Sequence, residues 1–321
     1  MKYTEFTFPS VVKGQNIFTR SYEPEGRPKA VLQIIHGMAE HSGLYSEFCE
    51  YLANEGYAVV QDDHLGHGRS VASGDEYGCF FEGGIDNLIR DEKVLHDMTA
   101  EKYPGLPYFM MGHSMGSFML REYMARYEDD LCGVVIMGTA GPVSEAVWTA
   151  EKALLTAIIA KTGVKGKSKQ IAKLATGGYA KHFPESPCAW VTSDKAEAER
   201  YEKDPMCGFP MTVAAYRDIM GLIHKINGKE WFEKVPKKLP ILMVSGREDA
   251  VGEMGRGVRR AAAGLVKTEH DVDLILYPGV RHALINEVNK EQVFRDIKNF
   301  LEYKTIRFRI AKKKEKLNQA K

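Results

Sequence analysis

The sequence predicts an α/β fold, in which a mostly parallel, doubly wound sheet of about eight strands carries an inserted set of helices. Three observations lead to this prediction. Short apolar runs alternate with helical patterns along most of the chain, and a glycine-flanked serine at residues 112–116 separates one such run from a helix. About a hundred residues without a strand pattern lie between Met137 and Pro240. A chain of 321 residues with 44% hydrophobic content is long enough for one large domain with an insertion.

The individual elements follow from local patterns. Residues 3–8 and 16–22 are rich in β-prone side chains around a turn, which predicts an antiparallel pair at one sheet edge. The apolar run at 30–35 is typical of a strand that is covered on both faces. Further strands are predicted at 57–61, 108–111, 133–137, 241–245 and 273–277, and helices at 45–54, at 85–103, after Ser114, from Ser144 through Ile159, near 168–175, at 194–203 and at 212–227.

This pattern divides the chain into three parts. Residues 1–141 and 231–303 are predicted to form the α/β core, residues 142–230 a helical cap, and residues 304–321 a basic C-terminal tail. The tail has eight Lys and Arg against one Glu, a net +7 that leaves −6 on the rest, since the whole chain carries +1. Two alternatives are open for it: weak contact with an anionic membrane surface, or a solvated terminal helix. Nucleic-acid binding is disfavoured because Phe308 is its one interleaved aromatic residue.

The cysteines and the N-terminus bear on location and cofactors. Five cysteines without paired short spacing indicate reduced thiols, not a disulfide framework or a zinc site. The first residues have no apolar signal-peptide core, and no run approaches ~18 apolar residues. We therefore expect a cytoplasmic protein with no metal and no cofactor. The sequence does not indicate an oligomeric state.

The candidate nucleophile is Ser114, within Gly112-His113-Ser114-Met115-Gly116. A serine at a sharp turn between strand and helix projects its hydroxyl above the sheet, and glycines without Cβ atoms let the strand and helix pass closely. The alternative is a glycine-rich turn with an idle serine. Because ligand groups of open α/β sheets lie at the carboxyl ends of strands, partners for Ser114 are sought there.

Two later strands supply those partners. Asp249 follows the strand at 241–245 and His282 follows the strand at 273–277, so that Ser114, Asp249 and His282 occur in the order nucleophile, acid, histidine. His282 would take the serine proton and Asp249 would orient His282. The rival for Asp249 is its neighbour Glu248, and the alternative for His282 is a solvated loop histidine.

An oxyanion would need two donors. The backbone N-H groups of Met38 and Met115 are the expected pair, the second because it begins a helix. Four further histidines are expected to shape turns through hydrogen bonds and not to bind metal, because His64-x-x-His67 lies in a glycine loop and no His-Glu-x-x-His occurs. These are His36, His64, His67 and His113.

The chain resembles α/β-hydrolases of the monoacylglycerol lipase and lysophospholipase branch, which includes serine aminopeptidase-like members. The resemblance covers nearly the whole core. It rests on residues 36–43 as an oxyanion segment, residues 63–70 as a Gly-His-Gly loop, the 112–116 elbow, and Asp249 with His282. In the cap, residues 190–192 and 204–209 are similar to bacterial enzymes labelled lysophospholipases. The chain departs from monoacylglycerol lipases at Leu44, where they usually have arginine.

The resemblance implies a serine hydrolase that cleaves lipid-like carboxylic esters, monoacylglycerol or lysophospholipid, through an acyl-enzyme on Ser114. A cap rich in Leu, Ile, Met and Trp148 suggests a pocket for an apolar acyl chain, although its apolar face could instead pack onto the sheet. One alternative is an aminopeptidase of the proline iminopeptidase type, which needs cap carboxylates for a substrate ammonium; Glu185, Glu197 and Glu199 are candidates. The other is a non-catalytic binding protein on a hydrolase scaffold.

Overall fold

A computed structural model describes residues 1–127 and 131–319. The strands in these residues are β1 (Lys2–Pro9), β2 (Asn16–Glu23), β3 (Ala30–Ile35), β4 (Tyr57–Asp63), β5 (Tyr108–His113), β6 (Leu131–Met137), β7 (Ile241–Gly246) and β8 (Val272–Tyr277). They form one eight-stranded sheet in the order β1-β2-β4-β3-β5-β6-β7-β8. β2 runs antiparallel to β1 and β4, and the remaining pairs are parallel. The predicted fold class and the antiparallel edge pair are confirmed.

Helices cover both faces of the sheet. In the described part of the chain they are α1 (Ser46–Asn54), α2 (Ile85–Lys102), α3 (Met115–Arg126), α4 (Glu145–Thr162), α5 (Lys169–Ala180), α6 (Lys195–Lys203), α7 (Val213–Lys225), α8 (Lys229–Lys234), α9 (Arg256–Lys267) and α10 (Lys290–Gln319). Helices α8 and α9 and the first half of α10, up to residue 303, are additional to the predicted elements. Side chains of α1 and α10 pack in one core cluster, and side chains of α2, α3 and α9 pack in the other.

Strand β3 illustrates why the central strands are continuously apolar. Successive side chains of a strand point to opposite faces. Val31 and Ile35 accordingly belong to one core cluster, whereas Leu32 and Ile34 belong to the other. All six residues of β3 are buried. The carboxyl ends of the parallel strands lie at one edge of this sheet, where the loops that follow those strands can meet.

The helices α4 to α8 are inserted between β6 and β7. Ser144, where this helix was predicted to start, caps α4, because its hydroxyl accepts the backbone N-H of Val147. Helix α4 packs on α7, and α7 in turn contacts α3 of the core. The apolar face of α4 is only partly covered. Leu155 is buried, but Val147 and Leu154 remain 47% and 49% exposed, since residues seven apart share the face that points away from α7.

Two boundaries drawn from composition fall inside helices. The division between residues 230 and 231 lies within α8, and the division between 303 and 304 lies within α10. The basic residues after 303 therefore continue the last helix of the core and do not follow a break in the backbone. The side chains become predominantly basic after residue 303, but the backbone stays helical.

Candidate active site

Ser114 occupies the turn between β5 and α3, with φ 51° and ψ −120°. This positive-φ conformation is unusual for a residue with a side chain and persists only where the surroundings enforce it. The flanking glycines explain how the turn is held. A Cβ atom on Gly112 would lie 2.3 Å from the Gly116 carbonyl oxygen, and one on Gly116 would lie 2.1 Å from the Ile35 carbonyl oxygen. Both positions therefore require glycine.

Asp249 and His282 form a buried pair. The Nδ1 atom of His282 lies 2.9 Å from Oδ1 of Asp249, and the two side chains are 4% and 0% exposed. Asp249 also accepts the Val251 backbone N-H at 2.9 Å and the Ser245 hydroxyl at 3.1 Å. Burial by itself raises the pKa of Asp249, but the charge of His282 and these hydrogen bonds outweigh it and lower the pKa. The carboxylate is thus held ionised beside the imidazole.

The rival acid, Glu248, points elsewhere. Its side chain is exposed, while its backbone N-H bonds to the Val280 carbonyl. The nearby Arg281 contacts Glu185 at 2.6 Å. The geometry therefore joins Asp249 to His282 and leaves Glu248 in solvent.

One cavity brings the candidate residues together. Ser114, His282, Met38 and Met115 all line it. Its remaining lining is mostly apolar or aromatic: Phe118, Ala140, Ala175, Tyr179, Trp190, Val191, Tyr201, Tyr216, Ile219, Met220, Ile223 and Val251, with Glu40 as the carboxylate.

The tryptophan that lines the cavity at Ser114 is Trp190, whereas the sequence predicted Trp148. Trp190 lines the cavity, and its ring lies 5.4 Å from that of His282. Trp148 lines another groove and stacks on His224 at 5.7 Å. The prediction for Trp148 is wrong because the face of α4 that carries it packs on α7.

Glu40 holds the loop after β3 and was not assigned a role from sequence. Its Oε1 accepts the Gly37 N-H at 2.5 Å and the Tyr45 hydroxyl at 2.6 Å, and it lies 3.2 Å from Nδ1 of His113. Burial raises the pKa of Glu40, but the charge of His113 and these hydrogen bonds lower it to about 2. Nε2 of His113 in turn donates to the His282 carbonyl at 3.1 Å. A glutamate within a glycine-rich loop was the sequence signal that could have identified this anchor.

The inserted segment contacts the same loop. The Ala39 carbonyl accepts the Tyr201 hydroxyl at 3.1 Å and the Gly208 N-H at 2.8 Å. Nε2 of His41 donates to Asp204 at 3.0 Å. Met38, a predicted oxyanion donor, is therefore followed by residues that the insertion holds in place.

A second set of bonds joins the insertion to the histidine loop. The Ala283 N-H donates to the Val191 carbonyl at 2.7 Å. Oε1 of Glu287 accepts the backbone N-H groups of Ser193 at 2.9 Å and Arg281 at 2.8 Å. No local motif marks Glu287, because its partner Ser193 lies 94 residues away in the chain.

The loop histidines bond to nearby backbone groups. Nδ1 of His36 donates to the Gly37 carbonyl at 2.8 Å, and its Nε2 accepts the His64 N-H at 3.0 Å. Nε2 of His64 donates to the His36 carbonyl at 3.1 Å. Nδ1 of His67 lies 3.2 Å from the Leu65 carbonyl. These contacts tie the loops after β3 and β4 to each other.

Two groups of described residues have ligand atoms close enough for a metal ion: Asp62, His64 and Glu92, and His41, Asp204 and Cys207. In the first group, burial lowers the pKa of His64, but the charge of Asp62 reverses this and raises it, while burial raises the pKa of Glu92. Both residues therefore favour their protonated forms. In the second group, Nδ1 of His41 accepts the Gly43 N-H, so Nε2 carries the proton that it donates to Asp204. Both groups act as hydrogen-bonded links.

A serine on a strained strand-to-helix turn, at the carboxyl edge of a parallel sheet and in one cavity with a buried Asp-His pair, defines the class of α/β-hydrolases. The sequence comparisons agree with this class. A model of the serine aminopeptidase S33 family matches residues 26–289. The chain belongs to that family.

The chain is similar over most of its length to two curated lipases and to one esterase of known structure. The chain is 27% identical to a monoacylglycerol lipase of Mycolicibacterium smegmatis, over 90% of this chain and 94% of that one. It is 25% identical to the monoglyceride lipase of Homo sapiens, over 91% and 88%. A thermostable carboxyl esterase from Bacillus coagulans, solved in complex with glycerol, superposes with a TM-score of 0.89 at 30% identity, covering 95% and 99%. The chain is a carboxylic ester hydrolase.

Proposed function

We propose that the chain hydrolyses esters of apolar acyl chains, monoacylglycerols or lysophospholipids, through an acyl-enzyme on Ser114. The observation that carries this proposal is the cavity at Ser114. Its lining from the insertion, such as Trp190, Ile219 and Ile223, is apolar and suits a hydrocarbon chain. The lipase names of the relatives support the same substrate class.

The chemistry assigns each residue one role. The Ser114 oxygen attacks the ester carbonyl while Nε2 of His282 takes its proton, and Asp249 holds Nδ1-H of the imidazolium. The backbone N-H groups of Met38 and Met115 stabilise the oxyanion. The intermediate expels the alcohol, which receives the proton from His282. A water activated by His282 then attacks the acyl-enzyme and releases the carboxylic acid.

The insertion, residues 142–230, acts in this proposal as a cap that supplies the acyl pocket. Its segments also contact the loops that carry Met38 and His282, through Tyr201 to Ala39 and through Val191 to Ala283. The cap therefore shapes the pocket and supports the loops of the catalytic residues.

The aminopeptidase alternative is less well supported. The cap carboxylates considered for a substrate ammonium each have a cationic partner: Glu185 with Arg281, Glu197 with Arg200, and Glu199 with Lys203. Glu40 does line the cavity, but one of its oxygens is occupied by three groups. The site thus favours a neutral, apolar ester over a cationic peptide terminus.

The test is a substrate series with one variant. We expect kcat/KM to rise from p-nitrophenyl acetate to longer acyl esters, with turnover of monoacylglycerol or lysophospholipid and none of aminoacyl-β-naphthylamides. Ser114→Ala should lower kcat by a factor on the order of 10⁶ and abolish fluorophosphonate labelling. The exposed Ser73→Ala is the control and should match the wild type. Retained turnover in Ser114→Ala, or a preference for the naphthylamides, would overturn the proposal.

A further inference from the structure

Helix α10 leaves the body of the protein partway along its length. Its first half buries apolar side chains in the core: Val293, Phe294, Ile297, Phe300 and Leu301. By contrast, every described residue from 309 to 319 is exposed. We call residues 303–319 the terminal segment. Packing against the body does not account for the side chains on its outer face.

That outer face carries an apolar stripe. Tyr303, Ile306, Ile310 and Leu317 are between 49% and 56% exposed. Their spacings of three, four and seven residues place them on one side of a helix. Four large apolar side chains in line on a solvent-facing helix are more than the scattered apolar residues of an ordinary surface.

Cations border the stripe on both sides. At 100° per residue, Arg307 and Lys314 lie along one flank, and Arg309 and Lys313 along the other. Residues 304–319 hold seven Lys and Arg against one Glu: Lys304, Arg307, Arg309, Lys312, Lys313, Lys314 and Lys316, with Glu315. A basic helix with an apolar stripe is typical of segments that lie in the interface of a bilayer.

The charge of the terminal segment favours an anionic bilayer over a second copy of this chain as the partner of the stripe. The stripe has coiled-coil spacing, but Lys313, at the edge of the stripe, occupies a position where a coiled coil would need an apolar residue, and both flanks are cationic. A second copy would set Lys and Arg against Lys and Arg, whereas lipid phosphates would neutralise them. Residues 1–303 carry −6, so an anionic surface would attract the terminal segment and repel the body.

The terminal segment lies away from the cavity at Ser114. Lys304 contacts Asp271, just before β8, at 3.2 Å, and Arg309 donates to the carbonyl of Lys29, just before β3, at 3.1 Å. These are the amino ends of the strands. Ser114 follows the carboxyl end of β5. The segment therefore lies at the sheet edge opposite the cavity, and changes in it do not touch the site.

We propose that the terminal segment is a docking surface for an anionic lipid bilayer, with its stripe between the head groups and its cations on lipid phosphates. In the described residues, no helix is both long and apolar enough to span a membrane, so this contact is peripheral. The proposal does not depend on which ester the chain hydrolyses.

The experiment is co-sedimentation of the full chain with vesicles. We expect binding to mixed phosphatidylglycerol and phosphatidylcholine vesicles that weakens with salt, and little binding to phosphatidylcholine alone. Ile306→Gln with Ile310→Gln should lower the partition coefficient at least about tenfold. Replacing Lys313, Lys314 and Lys316 by Gln should lower it on the order of 100-fold.

The control is Val266→Gln, an exposed apolar residue on α9, which should bind vesicles like the wild type. All variants should hydrolyse a water-soluble p-nitrophenyl ester at the wild-type rate, which shows that they are folded. Absent binding, equal binding to both vesicle types, or full binding by the double glutamine variant would overturn the proposal. So would a dimer of the wild type that this variant abolishes, because the stripe would then serve a second copy.

Discussion

The carboxylate of Asp249 has three donors around it: the His282 ring, the Ser245 hydroxyl and the Val251 backbone N-H. It is fully buried, so each donor matters for keeping it ionised. Its neighbour Glu248 is exposed. Two adjacent acids are thus placed in opposite environments, which makes them a matched pair for mutation.

We predict that Asp249→Asn keeps the fold but lowers kcat by a factor on the order of 10⁴, because an amide favours the wrong imidazole tautomer. Glu248→Gln, the control, should leave kcat within about twofold. Steady-state kinetics with a soluble ester, beside thermal melting, measures both effects. A crippled Glu248→Gln with a near-normal Asp249→Asn would reverse the assignment.

Glu40 gives a prediction about pH. Its pKa is about 2 in the folded protein against an ordinary value of 4.5, so its contribution to stability is present above about pH 4.5 and is lost as pH falls toward 2. The shift corresponds to about 3 kcal/mol. In Glu40→Gln this contribution is absent at every pH.

Urea unfolding between about pH 6 and about pH 3 measures the effect. The wild type should lose more free energy of unfolding across this range than Glu40→Gln does. The control is Glu47→Gln, whose carboxyl is 63% exposed and whose pH dependence should follow the wild type. Equal pH slopes for the wild type and Glu40→Gln would contradict the role of Glu40 as a buried anchor.

At the scale of elements, the contact between β3, β5 and α3 depends on the missing Cβ atoms of Gly112 and Gly116. Helix α3 approaches the end of β3 so closely that an added Cβ on Gly116 would meet the Ile35 carbonyl oxygen at 2.1 Å. That oxygen is backbone and cannot swing aside as a side chain can. The elbow is therefore intolerant of even one methyl group.

We predict that Gly116→Ala lowers the free energy of unfolding by about 3 kcal/mol and abolishes most turnover, because α3 must shift and Ser114 shifts with it. Gly178→Ala is the matched control. It lies in α5 with no atom within 4 Å of its added Cβ, and it should gain about 0.5–1 kcal/mol. A Gly116→Ala protein with normal stability and kcat would refute the close contact as the reason for this glycine.

At the scale of the whole molecule, the insertion is tied to the core beside both loops of the site. Tyr201 and Gly208 bond to Ala39, and Val191 bonds to Ala283. Glu287 adds a link of its own, since its carboxylate accepts from both Ser193 and Arg281 and is 1% exposed. The insertion thus supports the loops as well as covering them.

We predict that Glu287→Ala lowers the free energy of unfolding by about 3 kcal/mol, because it leaves the partly buried backbone N-H donors of Ser193 and Arg281 unpaired. It should also lower kcat more than it raises KM, since Arg281 precedes His282. Glu291→Ala, whose carboxyl is 85% exposed, should change stability by less than about 0.5 kcal/mol. A destabilised Glu287→Ala with normal kcat would separate this link from the position of His282.

Much of the fold could be predicted from local pattern. All eight predicted strands occur. A buried strand can be recognised from about six neighbouring residues, because an apolar run between turn signals indicates it without information from elsewhere in the chain. Helix α9 was not predicted, although Val258, Ala261 and Leu265 recur at the spacing of an amphipathic helix and its four arginine and lysine residues occupy other positions. For the site, two sequence features pointed to Ser114, Asp249 and His282: their order along the chain and their positions after the carboxyl ends of predicted strands.

What the sequence by itself determined is therefore local: which segments are strands, where a serine sits on a glycine-flanked turn, and where charge accumulates near the C-terminus. Tertiary structure alone decided which distant groups meet. It set Trp190 and not Trp148 in the cavity, paired Arg281 with Glu185, and brought Glu287 to Ser193 across 94 residues. The physical reason is that such contacts depend on how helices and loops pack around the sheet, and a pattern read over a few neighbouring residues does not contain that packing.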